Sequence, residues 1–166
     1  MTLLQHAIDD IAAGFYRQAM FADFELRAHR VVEGDGPITA EVLQEIYLDV
    51  LNGFFGSALD DKDWYRNTWA RIPHFFQSPF YVFQYATSKA AAVMFHRRMT
   101  EGEEGKRSAV VDAYLELLRS GGDDHPISQL KKAGVDFSTT KPTEALVAEM
   151  DHLIDRLEKE ASILSN

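Results

Sequence analysis

Between Ile72 and Ser88 the sequence reads IPHFFQSPFYVFQYATS: one histidine and two tyrosines among four phenylalanines and two prolines in seventeen residues. An imidazole and two phenols carry hydrogen-bond donors without being activated nucleophiles. Donors held in place are what a developing negative oxygen needs when a carbonyl is attacked. With proline in the first turn, a helix is expected to begin at Pro79 and run from Phe80 to Met99. Tyr81 and Tyr85 are then i, i+4 on one face, which Ser88 and Lys89 continue, while Val82, Phe83, Ala86, Ala90 and Val93 turn inward. His74, in the loop just before, can fold back over the tyrosine face. Aromatics at this spacing are equally the material of a core, and residue types alone favour that packing reading. The functional one rests on whether the three polar rings converge.

Other chemistries find little support. The six histidines (His6, His29, His74, His96, His125, His152) never fall four apart, and no His-Glu-x-x-His places two imidazoles on one helix face, so a complete zinc site within the chain is not expected. Gly102 and Gly105 are too sparse for a phosphate loop and lack the Lys-Ser or Lys-Thr that follows in one. A Gly-x-Ser-x-Gly nucleophile elbow is missing. Zero cysteines removes thiolate ligands, cysteine nucleophiles and disulfides together. A formal net charge of −9, with basic residues clustered only in pairs such as Arg97-Arg98 and Lys131-Lys132, argues against a nucleic-acid partner. Neither a signal-like start nor a membrane-length apolar run is seen, and a cytoplasmic protein is expected.

The elements that must position the aromatic segment are helical throughout, and the expected fold class is all-α without significant sheet. Leu4, Ile8, Ile11, Phe15, Met20 and Phe24 recur three to five apart, predicting an amphipathic helix from Leu3 to Val32 with a break near Gly14. Gly34-Asp35-Gly36-Pro37 ends it. Thr39 stands as N-cap of a second helix carrying Val42, Leu43, Ile46 and Leu48 to Val50, stopping at Gly53 or Gly56. Asp60 is expected to cap a short third helix through Trp64 and Trp69. Beyond the aromatic helix, whose Ala90-Ala91-Ala92 allows close approach of a neighbour, Glu101 to Gly105 reads as a turn and Ser108 to Leu118 as a helix. Ser120 to Asp124 reads as a loop, Pro126 to Ala133 as a short helix closed by Gly134, and Thr143 to Ser162 as the terminal helix.

Four stretches go further: FYRQAMFADFE (Phe15 to Glu25), GPITAEVLQEIY (Gly36 to Tyr47), WARIPHFFQSPFYVFQYATS (Trp69 to Ser88) and YLELLRSGGDDHPISQLKKAGVD (Tyr114 to Asp136). In order and content they resemble the C-terminal region of the oligoendopeptidase F branch of the M3 zinc metallopeptidases, related more distantly to thimet oligopeptidase. The resemblance implies hydrolysis of short peptides by a zinc held on a His-Glu-x-x-His helix plus a downstream glutamate, the motif glutamate acting as general base. It assigns oxyanion stabilisation to His74, Tyr81 and Tyr85, with His74, Phe80, Tyr81 and Tyr85 in contact with substrate. Phe83 stands where relatives often carry another tyrosine.

All zinc ligands and the base would then lie before Met1. Residues 1–166 are expected to form one helical domain, the C-terminal part of a longer catalytic domain, that alone binds no zinc and hydrolyses nothing. Its partners would be short peptides, the missing N-terminal part and, through an exposed face holding Phe15, Phe21 and Phe24, a second copy of itself. Arg17, Asp23 and Glu25 read as solvated or locally paired charges, with pairing to the missing part of the protein as the alternative. A metal-free helical module that binds a peptide or partner helix is the alternative.

Overall fold

The computed structural model describes residues 1–101 and 103–164, and every regular element among them is helical. The chain divides into two compact units. One is Ala12–Ala86; the other combines Met1–Ile11 with the chain from Thr87 onward.

In the first unit, a π-helical turn at Ala12–Tyr16 contains Gly14 and leads into α2 (Arg17–Glu33), while α1 (Thr2–Ile11) precedes it in sequence. The expected break near Gly14 is this widened turn. Gly34 caps α2, and α3 (Ala40–Phe55) opens with the Thr39 hydroxyl accepting from the Val42 N–H at 3.3 Å. The chain passes Gly53 and stops at Gly56, whose φ of 53° suits a residue without Cβ. Met20, Phe21 and Phe24 of α2 meet Tyr47, Val50 and Leu51 of α3, spacings that keep each set on one helix face, and Val82 closes the cluster. Phe24 packs edge-on to Tyr47 at 5.4 Å and stacks on Trp69 at 6.3 Å.

The face expected to lie open at Phe15, Phe21 and Phe24 is therefore corrected. Phe21 and Phe24 are core and Phe15 is half-buried, because α3 supplies the apolar partner that α2 needs. The third helix is also corrected. Residues 62–71 form two 3₁₀ turns, Lys62–Tyr65 and Thr68–Arg71, and the residue before the first is Asp61, in left-handed backbone at φ 46° with no side-chain cap.

After α4 (His74–Gln77), Pro79 and Phe80 form a turn and α5 (Phe83–Thr100) begins four residues beyond Pro79. Phe83 consequently points outward, 48% exposed, while Val82, Ala86 and Ala90 are buried.

The second unit packs α1 against α8 (Lys141–Leu164) and α6 (Glu104–Ser120) against α7 (Pro126–Lys132). Its core joins Ala91 and Phe95 to Val110, Ala133 and Val135. Ala90 and Ala91 are buried and Ala92 is exposed, and Gly134 follows α7 at φ 90°. Of the turn expected at Glu101 to Gly105, Gly102 lies outside the described residues and α6 already starts at Glu104.

Candidate active site

His74 reaches its place through a proline. Pro73 has no N–H to satisfy and a fixed φ, so it starts α4, with the Phe76 and Gln77 N–H groups donating to its carbonyl at 3.1 and 2.9 Å. One turn later the Ser78 N–H donates to the His74 carbonyl at 2.9 Å, and the chain reverses at Pro79-Phe80.

Phe80 sits at φ 58°, a region that costs a bulky L-residue roughly 1–2 kcal/mol. Contacts with α2 hold it there. Its N–H donates to Glu25 Oε1 at 2.8 Å, and its ring lies 4.4 Å from that of His29. His29 Nδ1 lies 2.8 Å from the Glu25 carbonyl, an acceptor only, so the proton of that bond is on Nδ1. Glu25 is 3% exposed, and its carboxylate satisfies a backbone donor that the turn leaves outside any helix. Read from sequence as a solvated or locally paired charge, Glu25 is instead buried and holds a turn 55 residues away. The legible signal was its register: Phe21, Phe24 and Glu25 fall at i, i+3, i+4 on the buried face of α2.

From this turn the chain enters α5 tightly, the Gln84 N–H donating to the Tyr81 carbonyl at 3.0 Å and the Tyr85 N–H to that of Val82 at 3.2 Å. Val82 plugs into the core, so Tyr81 and Tyr85 emerge on the other side, 42% and 41% exposed. Tyr81 is not a helical residue, yet the tight turn still brings its ring within 5.5 Å of that of Tyr85, edge to face.

The structure thus brings together all three polar rings singled out in the sequence. His74 Nε2 and the Tyr85 hydroxyl are hydrogen-bonded at 3.1 Å, the His74 ring stacks on Tyr81 at 5.9 Å, and it meets Tyr85 edge-on at 5.7 Å. Phe80 stands apart from this contact set, its ring committed to His29. Two proton arrangements serve the His74–Tyr85 bond. Either the phenol donates to a bare Nε2, or Nε2–H donates to the phenolic oxygen and leaves the Tyr85 hydrogen free for another acceptor.

His74 and Tyr85 also line a cavity of about 580 Å³ that the sequence did not announce, with Met20, Phe21 and Leu51 on its apolar side. The buried Tyr47 hydroxyl belongs to the same wall. Burial pushes its pKa above the ordinary phenol value, while a hydrogen bond with Thr68 and the positive charges of Arg71 and Arg17 pull it back. Among the described residues, no group of three histidine, aspartate or glutamate side chains could hold a metal ion.

Residues 1–149 match the sequence model of Peptidase family M3. The chain is 34% identical over 157 residues to Oligopeptidase PepF of Bacillus subtilis, a match covering 95% of this chain and 23% of that protein. It is 39% identical over 131 residues to an Oligoendopeptidase F homolog of Borreliella burgdorferi, covering 79% of this chain and 21% of that one. The crystal structure of oligoendopeptidase-F from Enterococcus faecium superposes with a TM-score of 0.84 at 30% identity, covering 95% of this chain and 30% of that chain. The chain spans about a quarter of the length of the curated relatives it matches.

Proposed function

The chain belongs to Peptidase family M3, and from that premise we propose that it is the C-terminal part of the catalytic domain of a cytoplasmic zinc oligopeptidase acting on short peptides. In this reading His74, Tyr81 and Tyr85 form one wall of the substrate cleft, and Phe80, its ring against His29 and still 45% exposed, offers apolar surface at the edge of this set. The zinc that the family resemblance implies does not fit the residues present, since the described part of the chain gathers no ligand set. We place its ligands and the general base in an N-terminal remainder.

What these residues can do follows from charge. Addition of water to a peptide carbonyl converts a weak acceptor into an anion, so a donor aimed at that oxygen binds the transition state more tightly than the substrate. With His74 Nε2–H donating to the Tyr85 oxygen, the Tyr85 O–H is polarised and available to that anion. Tyr81, stacked on His74 and edge-on to Tyr85, is exposed enough to offer a second hydroxyl near the first. The observation that carries the reading is the 3.1 Å contact between His74 and Tyr85 on a cavity wall, within a segment matched to a peptidase family. The helical interaction module gains no support from the comparisons, whose named relatives are oligopeptidases.

The test uses two proteins. The intact protein carrying this chain should hydrolyse an internally quenched peptide and lose that activity to a chelator. The 166-residue chain alone should retain no stoichiometric zinc after dialysis and turn over nothing. A chain that by itself holds one zinc or cleaves the peptide would overturn this assignment, and an intact protein that binds peptides without cleaving them would favour the interaction module.

A further inference from the structure

The wall of the 580 Å³ cavity carries a charge pattern opposite to that of the chain. The sequence has a formal net charge of −9, yet the described residues lining the cavity include two guanidinium groups, Arg17 and Arg71, and no carboxylate. Both side chains are exposed at the cavity, and neither pairs with an acidic group among the described residues. Arg27 shows the contrast: one helical stretch along α2 from Arg17, it is held by Asp23 at 2.8 Å and by Asp49 at 2.5 Å. Both arginines line the same cavity as the buried Tyr47, and their positive charge opposes the rise that burial causes in its hydroxyl pKa. The lining also holds apolar Met20, Phe21, Leu51 and Leu59, and His74 and Tyr85 belong to the same cavity.

We propose that Arg17 and Arg71 form a carboxylate-binding subsite of the substrate cleft, which selects peptides carrying a negative charge at a fixed position from the scissile bond. The inference rests on the peptidase reading for the identity of the ligand as a peptide. A guanidinium presents a planar fork of N–H donors that matches a carboxylate in two parallel hydrogen bonds, and two of them in a cavity whose described lining holds no carboxylate suit an anion attached to an otherwise uncharged chain. Such a carboxylate has two sources in a peptide, its C-terminus and an aspartate or glutamate side chain. Both present the same group to the arginines.

The experiment reads binding rather than cleavage, so it separates the subsite from the activity. The intact protein carrying this chain is treated with a chelator to prevent turnover and titrated calorimetrically with three peptides of one parent sequence. The first is uncharged, with an amidated end and an asparagine; the second has a free C-terminus; the third keeps the amide and replaces the asparagine by aspartate.

One of the two charged peptides should bind at least about tenfold more tightly than the uncharged one, and which one does so identifies the source of the carboxylate. In Arg17→Gln and Arg71→Gln that ratio should fall toward one, with Arg→Lys at each position restoring part of it. Equal affinity for all three peptides overturns the proposal, as it would if an acidic side chain from the rest of the protein occupied the arginines. So does a preference that persists in the double glutamine variant. Cleavage without charge preference in the hydrolysis assay would leave the peptidase reading standing and remove only this subsite. Charge preference without cleavage would do the reverse.

Discussion

Two of the prolines near helix starts, Pro126 and Pro79, do different things. Pro126 lies in the first turn of α7, where the preceding His125 is extended and the Gln129 N–H donates to the His125 carbonyl at 3.0 Å. Everything that holds this start is close in sequence. The Asp124 carboxylate accepts from the His125 N–H at 2.7 Å and from Lys132 at 2.8 Å, and the Gln129 amide bonds Ser120, Gly121 and Asp123. Pro79 stands four residues before its helix, followed by a phenylalanine in left-handed backbone whose N–H is taken by a glutamate on α2. One proline obeys local rules because its partners are local. The other is overruled by a tertiary hydrogen bond, and that departure turns two tyrosines toward a histidine.

The largest expected effect lies at the product of that departure. In the intact protein, Tyr85→Phe keeps the ring and its contacts with His74 and Tyr81 but removes the hydroxyl bonded to His74. Turnover of a fluorogenic peptide should fall by roughly a hundredfold or more, the scale of one oxyanion donor, with KM changed far less and the melting temperature nearly unaltered. Tyr81→Phe and His74→Ala form the comparison set, and the larger loss among the three names the principal donor. If the aromatic segment is only core, the pattern inverts. Tyr85→Phe then turns over at the wild-type rate and any deficit appears as lost thermal stability.

The next effect tests the tertiary bond itself. Glu25→Ala leaves the Phe80 N–H without its acceptor in a part-buried turn, and should lower the unfolding free energy by about 1–3 kcal/mol in a urea titration. Glu25→Gln keeps an acceptor oxygen but not the charge, and should recover about half of that loss. Because the turn sets the position of Tyr81 and Tyr85, Glu25→Ala should also reduce turnover beyond what its stability loss explains at a temperature where the variant is folded. An unaltered urea midpoint would show that the Pro79 turn holds without α2, and the contrast with Pro126 would collapse.

This contrast also explains what could be read from the sequence. The helices of both units were legible because apolar residues recur at helical spacing and because Thr39, Gly34, Pro126 and Gly134 act within a turn of where they stand. His74, Tyr81 and Tyr85 were legible as a set because they share one short segment, although Tyr81 lies in the turn before α5 and not on its face. The left-handed Phe80 was not, because its cause is Glu25, far away in sequence. Phe21 and Phe24 were misplaced on a free face for a related reason: amphipathic spacing identifies the sticky side of α2 but not the partner, α3, that covers it. The cavity with Arg17 and Arg71 arises from elements far apart in the chain, and no run of residues encodes it.

The smallest effect sharpens the local side of the comparison. Asp136, just past α7, accepts from the Ser138 N–H at 2.9 Å and the Ser138 hydroxyl at 2.7 Å, and pairs with Lys131 at 3.0 Å. The Ser138 hydrogen bonds and then the lysine hold its carboxyl at about 2, below the ordinary 3.8. A folded-state value lower than the unfolded one means that the native state binds the proton less readily. The stabilisation from this group is therefore fully present above about pH 4 and is lost as pH falls through about 2. Asp136→Asn cannot ionise, so the urea midpoint of the variant should decline less steeply than wild type between pH 4 and pH 2 and lie slightly below it at neutral pH. Asp124 and Glu41 are depressed as well, and their titration contributes equally to both proteins, so the difference between the two curves isolates Asp136. Parallel curves through that window would mean that Ser138 and Lys131 do not hold the carboxylate in solution, and that the turn after α7 is less locally determined than its hydrogen bonds imply.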